Sequence, residues 1–257
     1  MSIRIYQTRY ATSIVAIYFN NATVKASTKF YKTTFPYDMI FAKAYISTRD
    51  EQFYKLTMEL NIHYRYFIGS LIDLFSTRVD LSFSVHKLET FLENPDKVQF
   101  EGLVQILIYI RDNNNFGFKY YANINDAPVS ELLIQASIKT ENRFMAFSRY
   151  SWWDCPDTGR ITAAYIIFYQ DGTIEHDTHV PGPVAQSSAE NEYNSACTAG
   201  MALEHFRILI HELLNKDTDI VPEEAPLVIL NSNSPMCMDK NDKYTKYTSH
   251  IAGRMHF

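Results

Sequence analysis

The stretch Pro183-Val-Ala-Gln-Ser-Ser-Ala-Glu-Asn-Glu-Tyr193 constrains the fold more than any other part of the chain. A run of small residues gives way to a helix start. Ser187 followed three positions later by Glu190 has the spacing of a capping box: the hydroxyl accepts from a first-turn N–H, and the carboxylate reaches back to the cap. Glu192 then projects from the first turn of a helical pattern that runs from Ser188 to Leu214. Its apolar stripe comprises Tyr193, Ala196, Cys197, Leu203, Phe206, Ile210 and Leu213, and Gly200 is a point at which it is expected to divide. Beside a strand edge, a carboxylate placed like Glu192 helps to hold a divalent cation.

Strand patterns lie on both sides of this helix. Met145 to Trp153 and Ile161 to Tyr169 read as strands joined by a turn at Pro156-Asp-Thr-Gly159. Gln170-Asp-Gly172 is a hairpin signal leading into a third strand near Thr173 to His179. Leu227-Val-Ile-Leu230 is a short apolar run of the kind that forms a buried parallel strand. The order strand, strand, strand, helix, strand, helix is an α/β pattern. It predicts a sheet in which the Leu227 strand lies beside the Met145 strand, with helices on its faces.

The upstream half has a different character. Residues 62–112 divide into three helical pieces, the second ending at Asn94-Pro95 and the third beginning at Asp96, with Gln99 three positions on. Short connections favour antiparallel neighbours, so the pieces predict a small bundle that buries Leu71, Leu88, Leu103 and Leu107. Ile3-Arg-Ile-Tyr6 alternates like a strand, and Tyr10 to Phe19 has helical spacing. After Asn113-Asn-Asn115, Phe116 to Tyr121 and Leu132 to Ser137 read as strands.

Composition excludes several classes. A 257-residue chain that is 46% hydrophobic and 14% aromatic can build a substantial core. A net charge of −5 is not that of a chain with a broad basic face, although no acidic residue precedes Asp38 while Arg4, Arg9, Lys25, Lys29 and Lys32 do. Cys155, Cys197 and Cys237 are widely spaced with no Cys-x-x-Cys pair, as expected of reduced thiols in an intracellular protein rather than of zinc ligands or a disulfide framework. No apolar run approaches membrane-spanning length and no signal peptide is expected, so the reading is cytoplasmic or nuclear with no membrane partner.

Ser187-Ser-Ala-Glu-Asn-Glu-Tyr193 resembles the helix start of the ribonuclease H domain in copia-type retrotransposon polyproteins. Cys155-Pro-Asp-Thr158 resembles the turn after that domain's first strand, and His250-Ile251 with His256-Phe257 resembles its terminal segment. Tyr64-Arg65, Ile68-Gly-Ser-Leu71, Thr77-Arg78-x-Asp80 and Leu107-x-Tyr-Ile110 look like the end of the same family's reverse transcriptase. The resemblance implies a ribonuclease H-like mixed sheet with flanking helices, preceded by a small helical bundle. It divides the chain into a reverse transcriptase-like region at 1–115, connecting strands at 116–143 and a ribonuclease H-like domain at 144–257. The chain has no Asp-Asp pair, so the family's Tyr-x-Asp-Asp polymerase motif is absent.

Ribonuclease H chemistry uses two divalent metals held by about four carboxylates. On the resemblance, Arg149 stands at the first-strand Asp, Ser151 at a second nearby Asp, Asn231 at the fourth-strand Asp and Ala252 at the Asp of the terminal segment. Glu192 alone matches. Active relatives use magnesium; here no metal is expected, because the changes at Arg149, Asn231 and Ala252 shift the site toward positive charge. A Glu192 beside the Arg149 guanidinium is expected to form an ion pair instead. Asp154 and Asp157 lie past the first strand and do not reach the same point, and Asp239 and Asp242 read as solvated helix or loop charges. His176, His179, His205 and His211 lack metal-ligand spacing, His86 falls on a helical surface, and Trp152-Trp153 suits core packing better than base stacking.

In the third helical piece Val104, Gln105 and Ile108 occupy positions where relatives carry cations suited to phosphate, and only Arg111 remains. The expected partner is therefore RNA–DNA hybrid or other nucleic acid, bound weakly and without cleavage. The alternative is a domesticated interaction scaffold, for which the sequence names no protein partner.

Overall fold

The computed structural model describes residues 2–21, 31–35, 55, 57–58, 62–93, 95–121, 144–150, 161–169, 172–182, 188–214 and 227–230. Those up to Tyr121 form one compact unit and those from Phe144 onward a second.

The first unit contains β1 (Ser2–Ile5), α1 (Thr8–Asn21), α2 (Tyr64–Phe75), α3 (Val79–Glu89), α4 (Lys97–Asp112) and β2 (Phe118–Tyr121). The apolar stripes of the helices meet in one core. Leu71, Leu88, Leu103 and Leu107 are all fully buried, as the bundle expectation requires. Helix α4 starts as its sequence dictates: the Asp96 carboxylate accepts from the Lys97 N–H at 2.6 Å, and the Gln99 side-chain oxygen accepts from the Asp96 N–H at 2.8 Å. Helix α3 ends at Glu89, before the expected Asn94-Pro95 boundary. Phe91 and Leu92 continue in tight turns, their N–H groups donating to the Leu88 and Glu89 carbonyls, and Phe91 stays buried.

An ionic staple between buried Arg78 and surface-reaching Asp80 ties this unit together. Arg78 is 1% exposed and forks onto Asp80, with Nε–Oδ1 at 2.9 Å and Nη2–Oδ2 at 2.7 Å. Its Nη1 donates to the Asn113 carbonyl past the end of α4 at 2.8 Å, and its guanidinium lies over the Tyr109 and Phe116 rings. Tyr109 donates to Asp80 Oδ2 at 3.0 Å. Burial, reinforced by the Asp80 charge, pushes the Tyr109 phenol up to about 12.

Strands β1 and β2 pair antiparallel, with Ser2 opposite Tyr121, Arg4 opposite Lys119 and Ile5 opposite Phe118. The strand at Phe118–Tyr121 thus belongs with the chain's first strand. Gly117 makes the close approach possible: a Cβ there would collide with the Ile5 carbonyl oxygen and lie 2.8 Å from the Tyr6 Cβ.

The second unit contains β3 (Phe144–Tyr150), β4 (Ala163–Tyr169), β5 (Gly172–His179), α5 (Ser188–Leu214) and β6 (Leu227–Leu230). The sheet order is β5-β4-β3-β6. β3 and β4 pair antiparallel, as do β4 and β5, while β6 runs parallel to β3 with Met145 opposite Leu227 and Ser148 opposite Leu230. The Leu227 strand therefore lies beside the Met145 strand, as its apolar run predicts. It is the last strand on that side among the described residues, and Val228 and Ile229 are half-buried rather than fully enclosed. The expected strand at Leu132–Ser137 lies outside the described residues.

Helix α5 is continuous through Gly200, where a break was expected. A helical glycine costs about 1 kcal/mol relative to alanine, which a long packed helix absorbs. Its buried stripe also differs from the expected one. Ser195, Ala199 and Leu203 are buried, whereas Leu213 is 64% exposed, so the apolar contact ends before the helix does.

Candidate functional site

The site lies where the first turn of α5 meets the C-terminal end of β3. Alternation along β3 sends Ala146 and Ser148 toward α5, where Ala146 clusters with Ile167, Ala199 and Leu203. Ser148 Oγ and Ser195 Oγ share a hydrogen bond of 2.7 Å, and Ser195 also lies 3.3 Å from the Arg149 carbonyl oxygen. Because Ser195 meets Ser148 while Ala199 and Leu203 meet Ala146, the helix runs antiparallel to β3. Its N-terminal turn therefore overlies the C-terminal end of that strand.

Glu192 stands one turn before Ser195 and shares its face. It is 8% exposed, and its neighbours Glu190 and Asn191 are also buried. Neither carboxylate is without a partner. The first turn of a helix is a favourable place for anions, because its free N–H groups and the macrodipole offset part of the desolvation cost.

Arg149 points the other way. The alternation that turns Ser148 toward α5 turns the Arg149 side chain to the opposite face of the sheet, where it is exposed. The expected ion pair between Arg149 and Glu192 is not formed among the described residues. The guanidinium is carried away from the carboxylate by strand geometry rather than neutralised by it.

Asn231 follows Leu230, the residue paired with Ser148, and itself lies outside the described residues. So do Ala252, Ser151, Trp152, Trp153, Asp154, Asp157, Ser187, Asp239, Asp242, Cys155 and Cys237. Among the described residues no group of three or more His, Cys, Asp or Glu is arranged to hold a metal ion. Magnesium requires oxygen donors in near-octahedral array. Of the aligned ligand positions, Glu192 alone supplies a carboxylate among the described residues.

A second polar cluster was not anticipated. Glu175, Asp177 and His179 alternate along β5 and share the α5 side of the sheet with Tyr165, which pairs with Asp177. His179 Nδ1 lies 2.7 Å from Asp177 Oδ2. Burial, with the Asp177 and Glu175 charges adding to it, pushes the Tyr165 phenol up to about 12. Burial also raises the Glu175 carboxyl above its ordinary value, His176 opposing and Asp177 reinforcing the shift. The period-two spacing of Glu175, Asp177 and His179 was the available signal, but a search for helical metal spacing passes over it.

His211 is buried, His205 is exposed, and His86 sits 3.5 Å from Glu89. Gln105 and Ile108 are buried and Val104 packs against the core, so the α4 positions read as a lost phosphate-contact row lie inside the first unit. Arg111 is held by Asp112 at 2.7 and 3.0 Å and lies over the Phe19 ring. Among the described residues no helix is long and apolar enough to cross a membrane.

No family model matches the chain, and no solved structure matches it. Curated relatives do. The retrovirus-related Pol polyprotein from transposon RE1 of Arabidopsis thaliana is 24% identical over 196 residues, covering 76% of this chain and 12% of the relative. The corresponding polyprotein from transposon TNT 1-94 of Nicotiana tabacum is 25% identical over 195 residues, covering 74% and 13%. The polyprotein from transposon RE2 of Arabidopsis thaliana is 24% identical over 196 residues. The chain thus spans about an eighth of the length of these relatives. Its homologues are retrovirus-related Pol polyproteins of plant transposons.

Proposed function

We propose that the chain is a segment of a copia-type Pol polyprotein, running from the end of the reverse transcriptase into a ribonuclease H-like domain that no longer hydrolyses RNA. The proposed regions are 1–115, 116–143 and 144–257, with Phe118–Tyr121 drawn toward the first by its pairing with β1. The transposon homologues and the order of the quoted motifs support the assignment. The ancestral activity is cleavage of the RNA strand of an RNA–DNA hybrid.

The observation that supports the loss of activity is a single matching carboxylate, Glu192, where the ancestral site needs several shared anions. Glu192 enters from α5, and Arg149 occupies the strand position at which the family carries its first Asp. Two metals cannot be held by a single carboxylate. Asn231 and Ala252 in place of two further Asp residues extend the argument along the sequence.

The test is incubation of the full chain with a labelled RNA–DNA hybrid in Mg²⁺ and in Mn²⁺. No cleavage is expected, and Arg149→Asp alone is expected to leave it so, because Asn231 still under-ligates the metals. Metal-dependent cleavage that disappears in Glu192→Gln defeats the proposal. A second reading, a domesticated scaffold that keeps the fold without the chemistry, draws support from the partnered, buried Arg78 and the unbroken α5. A decaying chain accumulates broken helices and unpaired buried charge.

A further inference from the structure

We propose that the outer face of α5 is a self-association surface, on which a second copy of this chain packs antiparallel and sets Glu212 of the partner subunit against His205. The inference goes beyond the retroelement reading, which assigns no protein partner, and it does not rest on the loss of cleavage.

The C-terminal half of α5 is apolar on two sides. Ala199 and Leu203 face the sheet. On the far side Met201, Ile208, Leu209 and Leu213 fall at i, i+7, i+8 and i+12, the spacing of one helical stripe. All four are exposed, Met201 at 67% and Leu213 at 64%. The outer face of a surface helix ordinarily carries polar groups, and contiguous exposed apolar groups mark an interaction surface. Two polar residues, His205 and Glu212, lie within the stripe and are exposed. They stand two turns apart on the same helix, out of each other's reach. Among the described residues neither is held in an ion pair.

Register and charge complementarity select the occupant. A two-fold axis between Ile208 and Leu209 sets Ile208 against Leu209 of the partner subunit. In antiparallel helices the same axis sets His205 against Glu212 of the partner subunit, and it does so twice. The imidazole N–H donates to the carboxylate in either protonation state. Leu213 then falls between Met201 and Ile208 of the partner subunit, as a ridge enters a groove. One stripe thus supplies both halves of the contact, as an isologous interface requires. A membrane surface fits less well. Interfacial helices flank their apolar face with Lys and Arg, whereas Arg207, the single Arg or Lys of α5, is forked onto Glu204 at 2.7 and 2.5 Å. Four apolar side chains form a small patch beside the about 800 Å² per partner of a standard interface, so the association is weak and depends on concentration.

The test is sedimentation velocity of the full chain from micromolar to submillimolar concentration. A monomer–dimer equilibrium is expected. Leu213→Glu puts a carboxylate into the apolar contact and is expected to weaken dimerisation about tenfold or more. His205→Glu sets carboxylates face to face across the axis and is expected to weaken it about tenfold. Adding Glu212→Lys to His205→Glu restores opposite charges and is expected to bring dimerisation back to within about threefold of the parent, which only the antiparallel register does. If Leu213→Glu does not fold by circular dichroism, Met201→Glu takes its place. A parent that stays monomeric across the range overturns the proposal. So does dimerisation by a folded Leu213→Glu or Met201→Glu within about twofold of the parent, and so does failure of the combined variant to recover. Flotation of a monomeric parent with phosphatidylserine vesicles, lost in Leu213→Glu, overturns it in favour of a membrane occupant. Cleavage of a hybrid is assayed separately and would defeat the preceding proposal without touching this one.

Discussion

The two units hold themselves together by different means. In the first, aromatic and aliphatic side chains from α1 to α4 fill one core, and the buried polar groups Arg78 and Gln99 are tied into hydrogen bonds that close its corners. In the second, the fully buried apolar cluster among the described residues is Ala146, Ile167, Ala199 and Leu203. Around it the helix–sheet seam turns polar, with Ser148, Glu190, Asn191, Glu192 and Ser195 all buried. A core of large apolar groups stabilises by area, whereas a seam of small and polar groups contributes mainly by satisfying its hydrogen bonds. The contrast indicates that large apolar groups specify the first unit, while buried polar groups line the helix–sheet seam of the second.

The sharpest way to break that contrast is to empty the first core. Leu107→Ala is expected to cost about 2–5 kcal/mol and Phe100→Ala about 3–5 kcal/mol in denaturant unfolding. Both side chains are fully buried. A change within experimental error at either position would show that packing does not hold this unit. Asp80→Ala takes the carboxylate from the buried Arg78 guanidinium, and because Asp80 itself reaches the surface the expected cost is about 1–3 kcal/mol. If the loss is under about 1 kcal/mol, the staple is decorative.

The seam of the second unit predicts smaller effects. Ser195→Ala removes the bonds to Ser148 and the Arg149 carbonyl and is expected to cost about 1 kcal/mol, read from the unfolding of the full chain. Gly200→Ala should do the opposite. A Cβ at Gly200 meets no atom within 4 Å, so the substitution is expected to stabilise by about 0.5–1 kcal/mol. Destabilisation there would mean that the helix face at Gly200 is covered.

The smallest expected effect concerns β5. Burial raises the Glu175 carboxyl, so the folded chain keeps a proton that the unfolded chain has already released. That contribution to stability is complete below the ordinary Glu value of about 4.3 and is lost as pH rises through the raised one. Glu175→Gln should therefore raise the thermal midpoint slightly at pH 7, with the gain shrinking toward pH 4. A gain that grows on acidification would reverse the assignment of the shift to burial.

Much of this architecture was legible in the chain. The Asp96 and Gln99 pair marked the start of α4, and the apolar run at Leu227 marked a strand beside Met145. These are local signals whose meaning survives folding. What was not legible depended on faces. Leu213 fits the helical stripe, yet it is exposed. Arg149 and Glu192 read as neighbours on the resemblance, yet a strand alternates sides at each residue and separates them. Val104, Gln105 and Ile108 read as a depleted phosphate row, but only the packing of α4 reveals that this face is interior. Arg78 and Asp80 are two apart in sequence, and nothing local announces that Asn113 and Tyr109 complete their network.

The central claim is the proposal that Glu192 lacks the further carboxylates needed to hold metal. Mn²⁺ binding to the full chain, followed by electron paramagnetic resonance, tests it most directly. The account predicts that the signal of free Mn²⁺ is not depleted by stoichiometric chain. Stoichiometric uptake of Mn²⁺ by the unmodified chain, abolished by Glu192→Gln, would contradict it.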